Sequence, residues 1–216
     1  MTAFAWTWGV DVLETRRITV SDGAALLGGL VSGAIGAYAY YSPVLRPLAH
    51  AFTLWIALLA AVVPGARDGR AIARAIVALE AAVVAFYYGK DVMYGIKYPG
   101  MPYSVNLEQL GLWCFLAAVA GTAAGLVFGP IGREDVRGTV STALAAGLLL
   151  GEVVRRSDRA DGVVFTAATL LALGLVLGRG IRSRSQAVRV VAWTVPMALA
   201  GFLLVSGPDV LEQILL

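Results

Sequence analysis

The stretch "AIVALEAAVVAF", residues 75–86, is apolar except for Glu80. It lies within a longer apolar run over residues 71–89. A helix of about 20 apolar residues is long enough to cross a hydrocarbon core of about 30 Å. The stretch therefore predicts a transmembrane helix with one carboxyl group near its midpoint.

Runs of the same kind recur along the whole chain. Of its 216 residues, 59% are hydrophobic and only 14% are charged, and the mean hydropathy is +0.78. A soluble domain of this length carries far more charge on its surface. We therefore predict an all-α, polytopic transmembrane helical bundle, a single integral membrane domain over residues 1–216. About seven spans are expected, with six to eight as the range: 23–41, 45–63, 71–89, 107–128, 137–154, 162–178 and 187–206.

The basic residues indicate how this bundle is oriented. If the N-terminus is cytoplasmic, eleven Lys and Arg residues fall on the inner side and six on the outer side. Cytoplasmic loops of membrane proteins carry the excess of Lys and Arg. The sequence therefore predicts a multi-pass protein with a cytoplasmic N-terminus, and its net charge of +3 is explained by loops rather than by nucleic-acid binding. The inner set is Arg16, Arg17, Arg67, Arg70, Arg74, Arg133, Arg137, Arg179, Arg182, Arg184 and Arg189.

Two segments are predicted to lie at the membrane surface. Residues 1–20 are expected to be interfacial or frayed. Residues 87–106 are expected to form an outer loop that is rich in tyrosine. Tyrosines at this depth are typical of the aromatic belt at the headgroups. The alternative is a lid over an outward-facing cavity, hinged at Gly89, Gly95 and Gly100.

Glycine patterns suggest how the helices are arranged. Three turns, "PGARDGRAIAR", "GPIGREDVRG" and "GRGIRSRSQAVR", each join two apolar runs, which predicts three helical hairpins after a leading helix. Five GxxxG motifs begin at residues 29, 121, 125, 147 and 174. Such motifs allow helices to approach closely. We favour packing within one bundle, while a homo-oligomer or a membrane partner bound through these faces stays open.

Polar residues within the apolar runs are the candidates for function. A carboxylate at the bilayer centre costs about 2.5–3.5 kcal/mol on insertion scales, so such residues usually face the bundle interior or a wet cavity. His50, the single histidine, lies in the run that precedes that of Glu80 and could pair with it. Glu108 and Glu152 are expected near the outer ends of their predicted helices. The predicted substrate- or ion-binding residues are Glu80, His50, Asp91, Tyr87, Tyr88 and Glu108.

Other kinds of site are disfavoured by the sequence. It contains no P-loop, GxGxxG, HExxH, CxxC or GxSxG motif. A single histidine and the single Cys114 do not suit a transition-metal centre. We predict no metal ligand, no cofactor and no catalytic residue, and membrane lipids as the surrounding partners.

Three functions remain open at this stage. The favoured one is binding or transport of a small molecule or ion in an outward-facing polar cavity around Glu80. The second is an intramembrane enzyme acting on a lipid or isoprenoid, with Glu80 or Asp91 as general acid. The third is a non-catalytic subunit of a membrane complex.

The unit "PGARDGRAIARAIVALEAAVVAFYYG" over residues 64–89, followed by "GREDVRG" over residues 132–138, also carries a resemblance. It resembles a family of small multi-pass membrane proteins from Streptomyces and related actinobacteria to which no activity is assigned. The resemblance implies an all-helical protein of the bacterial cytoplasmic membrane. It contributes no functional residues.

Overall fold

The computed structural model describes residues 19–101, 104–157 and 162–215, with the backbone alone for residues 204–215. The segment 1–18, and with it most of the predicted interfacial N-terminus, lies outside the described residues. Within the described ranges the chain forms eight helices and no strand. They are α1 (Val20–Tyr41), α2 (Arg46–Ala49), α3 (Thr53–Val62), α4 (Asp68–Lys97), α5 (Leu107–Phe128), α6 (Val136–Arg155), α7 (Gly162–Gly180) and α8 (Arg184–Leu215).

Six of these helices, among the residues described, are long and apolar enough to cross a membrane, namely α1, α4, α5, α6, α7 and the first 20 residues of α8. This confirms the predicted all-α character and fits a multi-pass integral membrane protein. The predicted span 107–128 coincides with α5. The sequence "NLEQ" at 106–109 predicts Asn106 as the cap of this helix, and its side chain accepts a hydrogen bond from the Gln109 backbone N–H at 3.0 Å.

Two predicted boundaries are wrong. The second span, 45–63, is not one helix, because it is divided into α2 and the ten-residue α3. Ten helical residues are about 15 Å long, half of the hydrocarbon thickness. The loop 87–106 is also too long as predicted, because α4 continues to Lys97 and includes Gly89 and Gly95. These two glycines are therefore helical residues and not hinges of a lid.

The helices α1 and α4 run parallel and in close contact. A Cβ atom added to Gly29 would lie under 3.0 Å from the carbonyl oxygen of Ala78, and one added to Gly33 would meet that of Ala82 equally closely. Residue i of α1 thus faces residue i+49 of α4. Because α1 and α4 point in the same direction, the chain must return to the other end of the bundle between them. The segment 42–67, which contains α2 and α3, provides this return from the end of α1 to the start of α4.

A second pair, α6 and α8, repeats this arrangement. Gly147 packs on the backbone of Met197, and Gly151 packs on that of Gly201 and Phe202. The offset of 50–51 residues nearly equals that between α1 and α4, and α7 provides the return path. The chain therefore contains two units of the same design, α1 to α4 and α6 to α8. We call them three-helix units, because the divided segment of α2 and α3 is counted as one return helix. The helix α5 joins them and packs through Gly121 and Gly125 on Ile76 and Ile72 of α4.

The two units meet where their return helices, α3 and α7, pack together. At this contact the buried hydroxyl groups of Thr53 and Thr169 lie 3.4 Å apart. The apolar side chains around them belong to α3, α4, α6 and α7 and include Leu59, Leu149 and Val176, which are nearly or fully buried. The most extensive helix contacts are those of α1 with α4, α6 with α8 and α4 with α5, and none of these pairs is one of the three predicted hairpins.

The two ends of the bundle differ in their polar residues. At the end where α1 begins, the arginine-rich end, Asp22 accepts hydrogen bonds from Arg70 and Arg74 of α4. The turn glycines Gly65 and Gly132, with φ of 80° and 91°, lie at this end too, where Gly65 donates to the Gly129 carbonyl. The opposite end, where α1 finishes among tyrosines, is called the tyrosine-rich end below.

Candidate functional site

A cavity of about 410 Å³ lies in the first three-helix unit, toward the tyrosine-rich end. Its wall is formed by α1, by the segment that contains α2 and α3, by α4 and by the beginning of α5. Cavities that bind small molecules have volumes of about 300–1,000 Å³. The cavity is thus large enough for a small organic ligand.

A break in the helical backbone forms one side of this cavity. Pro47 lies at the start of α2, which ends at Ala49, and α3 begins only at Thr53. The intervening residues 50–52 all line the cavity. Irregular backbone at membrane depth is tolerated only where it is buried in protein or lines a cavity, because lipid offers no hydrogen bonds to its polar groups. The position of the break at the cavity wall is therefore compatible with a location inside the membrane.

The carbonyl group that this break exposes accepts hydrogen bonds from Arg155, the last residue of α6, and from Arg156, which follows it. Arg156 Nη1 donates to the His50 carbonyl oxygen at 2.8 Å, and Arg155 Nη2 donates to the same oxygen at 3.4 Å. Arg155 also donates to both carboxylate oxygens of the fully buried Glu152, at 2.7 and 3.1 Å. We call Glu152, Arg155 and Arg156 the Glu152 cluster. It connects the second three-helix unit to the broken helix of the first.

Aromatic rings surround a lysine on the opposite side of the cavity. Lys90 Nζ lies 4.4 Å from the centroid of the Tyr40 ring, 5.4 Å from that of Phe86 and 5.6 Å from that of Tyr87. The Tyr40 ring also lies 5.6 Å from the His50 imidazole. A cation over ring faces is stabilised by the ring quadrupoles, which fixes Lys90 at the cavity wall.

The structure separates the predicted site residues into two groups. His50 and Tyr87 line the cavity, but Glu80, Asp91, Tyr88 and Glu108 lie outside its wall. Glu80 is half-buried on another face of α4, where its carboxyl group approaches the Cys114 thiol of α5. Tyr88 and Glu108 are exposed, and Asp91 is half-buried. Glu152 belongs to the Glu152 cluster instead of a shared acidic cluster.

Sequence reasoning missed Lys90, Ser32 and Gln109, all of which line the cavity. Lys90 was interpreted as an outer-side charge within the segment 87–106, and Gln109 as part of the helix cap at Asn106. One signal was available for Lys90, because it follows the aromatic "FYYG" at 86–89 by one position on a helix long enough to continue. Ser32 gave no signal, since serine is common at close helix contacts.

Among the residues that the structure describes, no three His, Cys, Asp or Glu side chains lie close enough together to hold a metal ion. No protein-family model, curated protein or solved structure matches the chain. Fold and site together fit a helical membrane protein in which an interrupted segment lines a cavity with an aromatic and basic wall.

Proposed function

We propose that this protein binds a small molecule in the cavity described above and carries it across the membrane. The observation that supports this most directly is the interrupted helix, whose irregular residues 50–52 line the cavity. Discontinuous helices of this kind form the binding sites of many secondary transporters, because they offer backbone groups to a ligand. The cavity, rather than the surroundings of Glu80, is the binding site in this proposal.

The repeated three-helix unit gives independent support. Parallel repeats, related by an axis along the membrane normal, are one of the architectures of secondary transporters. The near-equal offsets of the α1–α4 and α6–α8 pairs, and the Thr53–Thr169 contact between the return helices, are what such an axis would produce. Motion of one unit against the other would then expose the cavity to alternate sides.

We further propose seven membrane crossings, the second of them made by the segment 42–67. In this proposal the arginine-rich end and the N-terminus lie in the cytoplasm of a bacterium, an orientation that the excess of arginine at this end supports. The tyrosine-rich end then faces outward, and the cavity opens toward that side.

The proposal is tested by filling the cavity. Ser32→Phe on α1 and Gln109→Trp at the exposed start of α5 are expected to remove ligand binding, because both side chains line the cavity. The readout is the thermal stabilisation of purified protein by soluble aromatic acids, amides and amines, followed by counterflow of each hit in proteoliposomes. A ligand at a hundredfold excess over its Kd stabilises the folded state by about 2.7 kcal/mol.

Ala34→Phe is the matched control, because Ala34 lies two residues from Ser32 on an exposed face of α1. It should bind and transport like the unmodified protein. The proposal is overturned if no compound stabilises the protein, or if stabilisation survives in both cavity-filling variants.

Glu80→Gln is expected to change the Kd of a cavity ligand by no more than about twofold, because its carboxyl group faces Cys114 and not the cavity. The measurement is the same binding titration, made side by side with Ser32→Phe. A loss of binding in Glu80→Gln as large as in Ser32→Phe would return the site to the midplane carboxylate.

A further inference from the structure

The cavity wall has one sign of charge. Its polar side chains are hydrogen-bond donors or can act as donors, and none of its residues is Asp or Glu. Lys90 is the one Lys or Arg residue of that wall. The polar wall residues are Ser32, Tyr40, His50, Tyr87, Lys90 and Gln109.

Within the described part of the chain, no carboxylate forms an ion pair with Lys90. Asp91 follows it directly, but adjacent residues of a helix project in different directions. The contacts of its ammonium group in the described structure are with the faces of three rings. An anion that enters the cavity would supply the missing opposite charge.

Two further features describe the rest of such a ligand. The Ser32 Oγ atom is buried at the cavity and has no hydrogen-bond partner, so it can donate to an acceptor on the ligand. The remaining wall is mostly apolar and aromatic and includes Phe52, Trp55 and Trp113. These rings suit an apolar or aromatic body rather than a strongly hydrated ion.

From these features we infer that the ligand is an amphipathic organic anion, with its carboxylate or phosphate group at Lys90 and its apolar body against the aromatic wall. The inference rests on the proposed function and specifies its substrate class. The same chemistry is present in a free aryl or alkyl acid and in an anionic lipid.

Three probes of equal shape and different charge test the inference: 3-phenylpropionate, 3-phenylpropanamide and 3-phenylpropylamine. Each is titrated calorimetrically into protein in phosphatidylcholine nanodiscs. The acid is expected to bind at least about tenfold more tightly than the amine, and Lys90→Met to weaken the acid about 10- to 100-fold, as expected for loss of a charge-assisted hydrogen bond. In a parallel arm, native mass spectrometry records whether one phosphatidylglycerol is retained.

Lys97→Met is the matched control. Lys97 lies two turns further along α4 and also contacts tyrosine rings, but it is outside the cavity wall. It should leave acid binding and lipid retention unchanged. Dependence on Lys90 in either arm supports the inference and identifies the source of the anion.

Cavity-dependent binding of the amine or the amide, at an affinity equal to or above that of the acid, overturns the anion inference and leaves the proposed function intact. The absence of Lys90-dependent anion binding in both arms overturns it as well. The proposed function fails only if no ligand is found whose binding the cavity-filling variants remove.

Discussion

Gly33→Leu is expected to prevent α1 and α4, the parallel helices of the first unit, from packing together, and to yield little or no monodisperse protein. A Cβ atom at this position would lie under 3.0 Å from the carbonyl oxygen of Ala82 and from the side chain of Ala85. The obstruction is backbone, which cannot move aside as a flexible side chain would. Overpacking of cores costs about 1–3 kcal/mol and occasionally more. Here the clash is with a helix that packs along most of its length, so we expect the upper end or beyond.

The measurement is size-exclusion chromatography of detergent-solubilised protein, combined with its thermal unfolding midpoint. Gly174→Leu is the matched control, because Gly174 belongs to the same type of motif on α7 and a Cβ atom there meets nothing within 4 Å. It should behave like the unmodified protein. Equal behaviour of the two variants would contradict the α1–α4 contact. A change of oligomeric state in Gly174→Leu alone would show that this open motif binds a second chain.

Most of the helical architecture could be predicted because membrane insertion imposes a simple constraint on sequence. A helix in lipid must be apolar over about 20 residues, so the runs that became α5, α6 and α7 are visible directly. The start of α5 was predicted accurately because the Asn106 side chain caps this helix, an interaction that needs only neighbouring residues. The predictions for these three helices, which depend on local sequence, therefore agreed with the structure.

The interrupted helix could not be predicted, because what stabilises it is far away in the sequence. Hydropathy shows only whether a segment is apolar enough for lipid. The segment 45–63 meets this condition whether or not its helix is interrupted. The carbonyl group of His50, which the break leaves without a helical partner, accepts hydrogen bonds from Arg155 and Arg156, over 100 residues further on. Pro47 was a local hint, although proline is also common at an uninterrupted helix start.

The candidate site was predicted in part for a similar reason. The argument from insertion cost identifies polar residues that need a partner, and it drew attention to His50, which lines the cavity. It does not tell which face of its helix a residue occupies. Glu80 and Lys90 lie on the same helix α4, yet only Lys90 lines the cavity, because the direction of each side chain is set by how α1 and α5 pack around α4.

Glu152→Ala is expected to lower the free energy of unfolding by about 3–5 kcal/mol, the range found when one partner of a buried ion pair is removed. Glu152 is completely buried, and its carboxylate lies between two guanidinium groups. Without it, two like charges would face each other away from water, and their hold on the His50 carbonyl would weaken. Ligand binding in the cavity should therefore fall together with stability. The measurement is unfolding in mixed micelles by titration with a denaturing detergent.

Two further variants separate charge from general disruption. Glu108→Ala removes an exposed carboxylate from the first turn of α5 and should cost no more than about 1 kcal/mol, the value of a favourable helix-dipole interaction. Glu152→Leu combined with Arg155→Met removes the closest charge pair as a unit and leaves the Arg156 bond to His50 in place. Replacing a buried pair by apolar residues is often neutral, so the double variant should recover most of the stability that Glu152→Ala loses. If Glu152→Ala were no more harmful than Glu108→Ala, the Glu152 cluster would not be what stabilises the broken helix, and the link between the two three-helix units would lie in the apolar contact of α3 with α7.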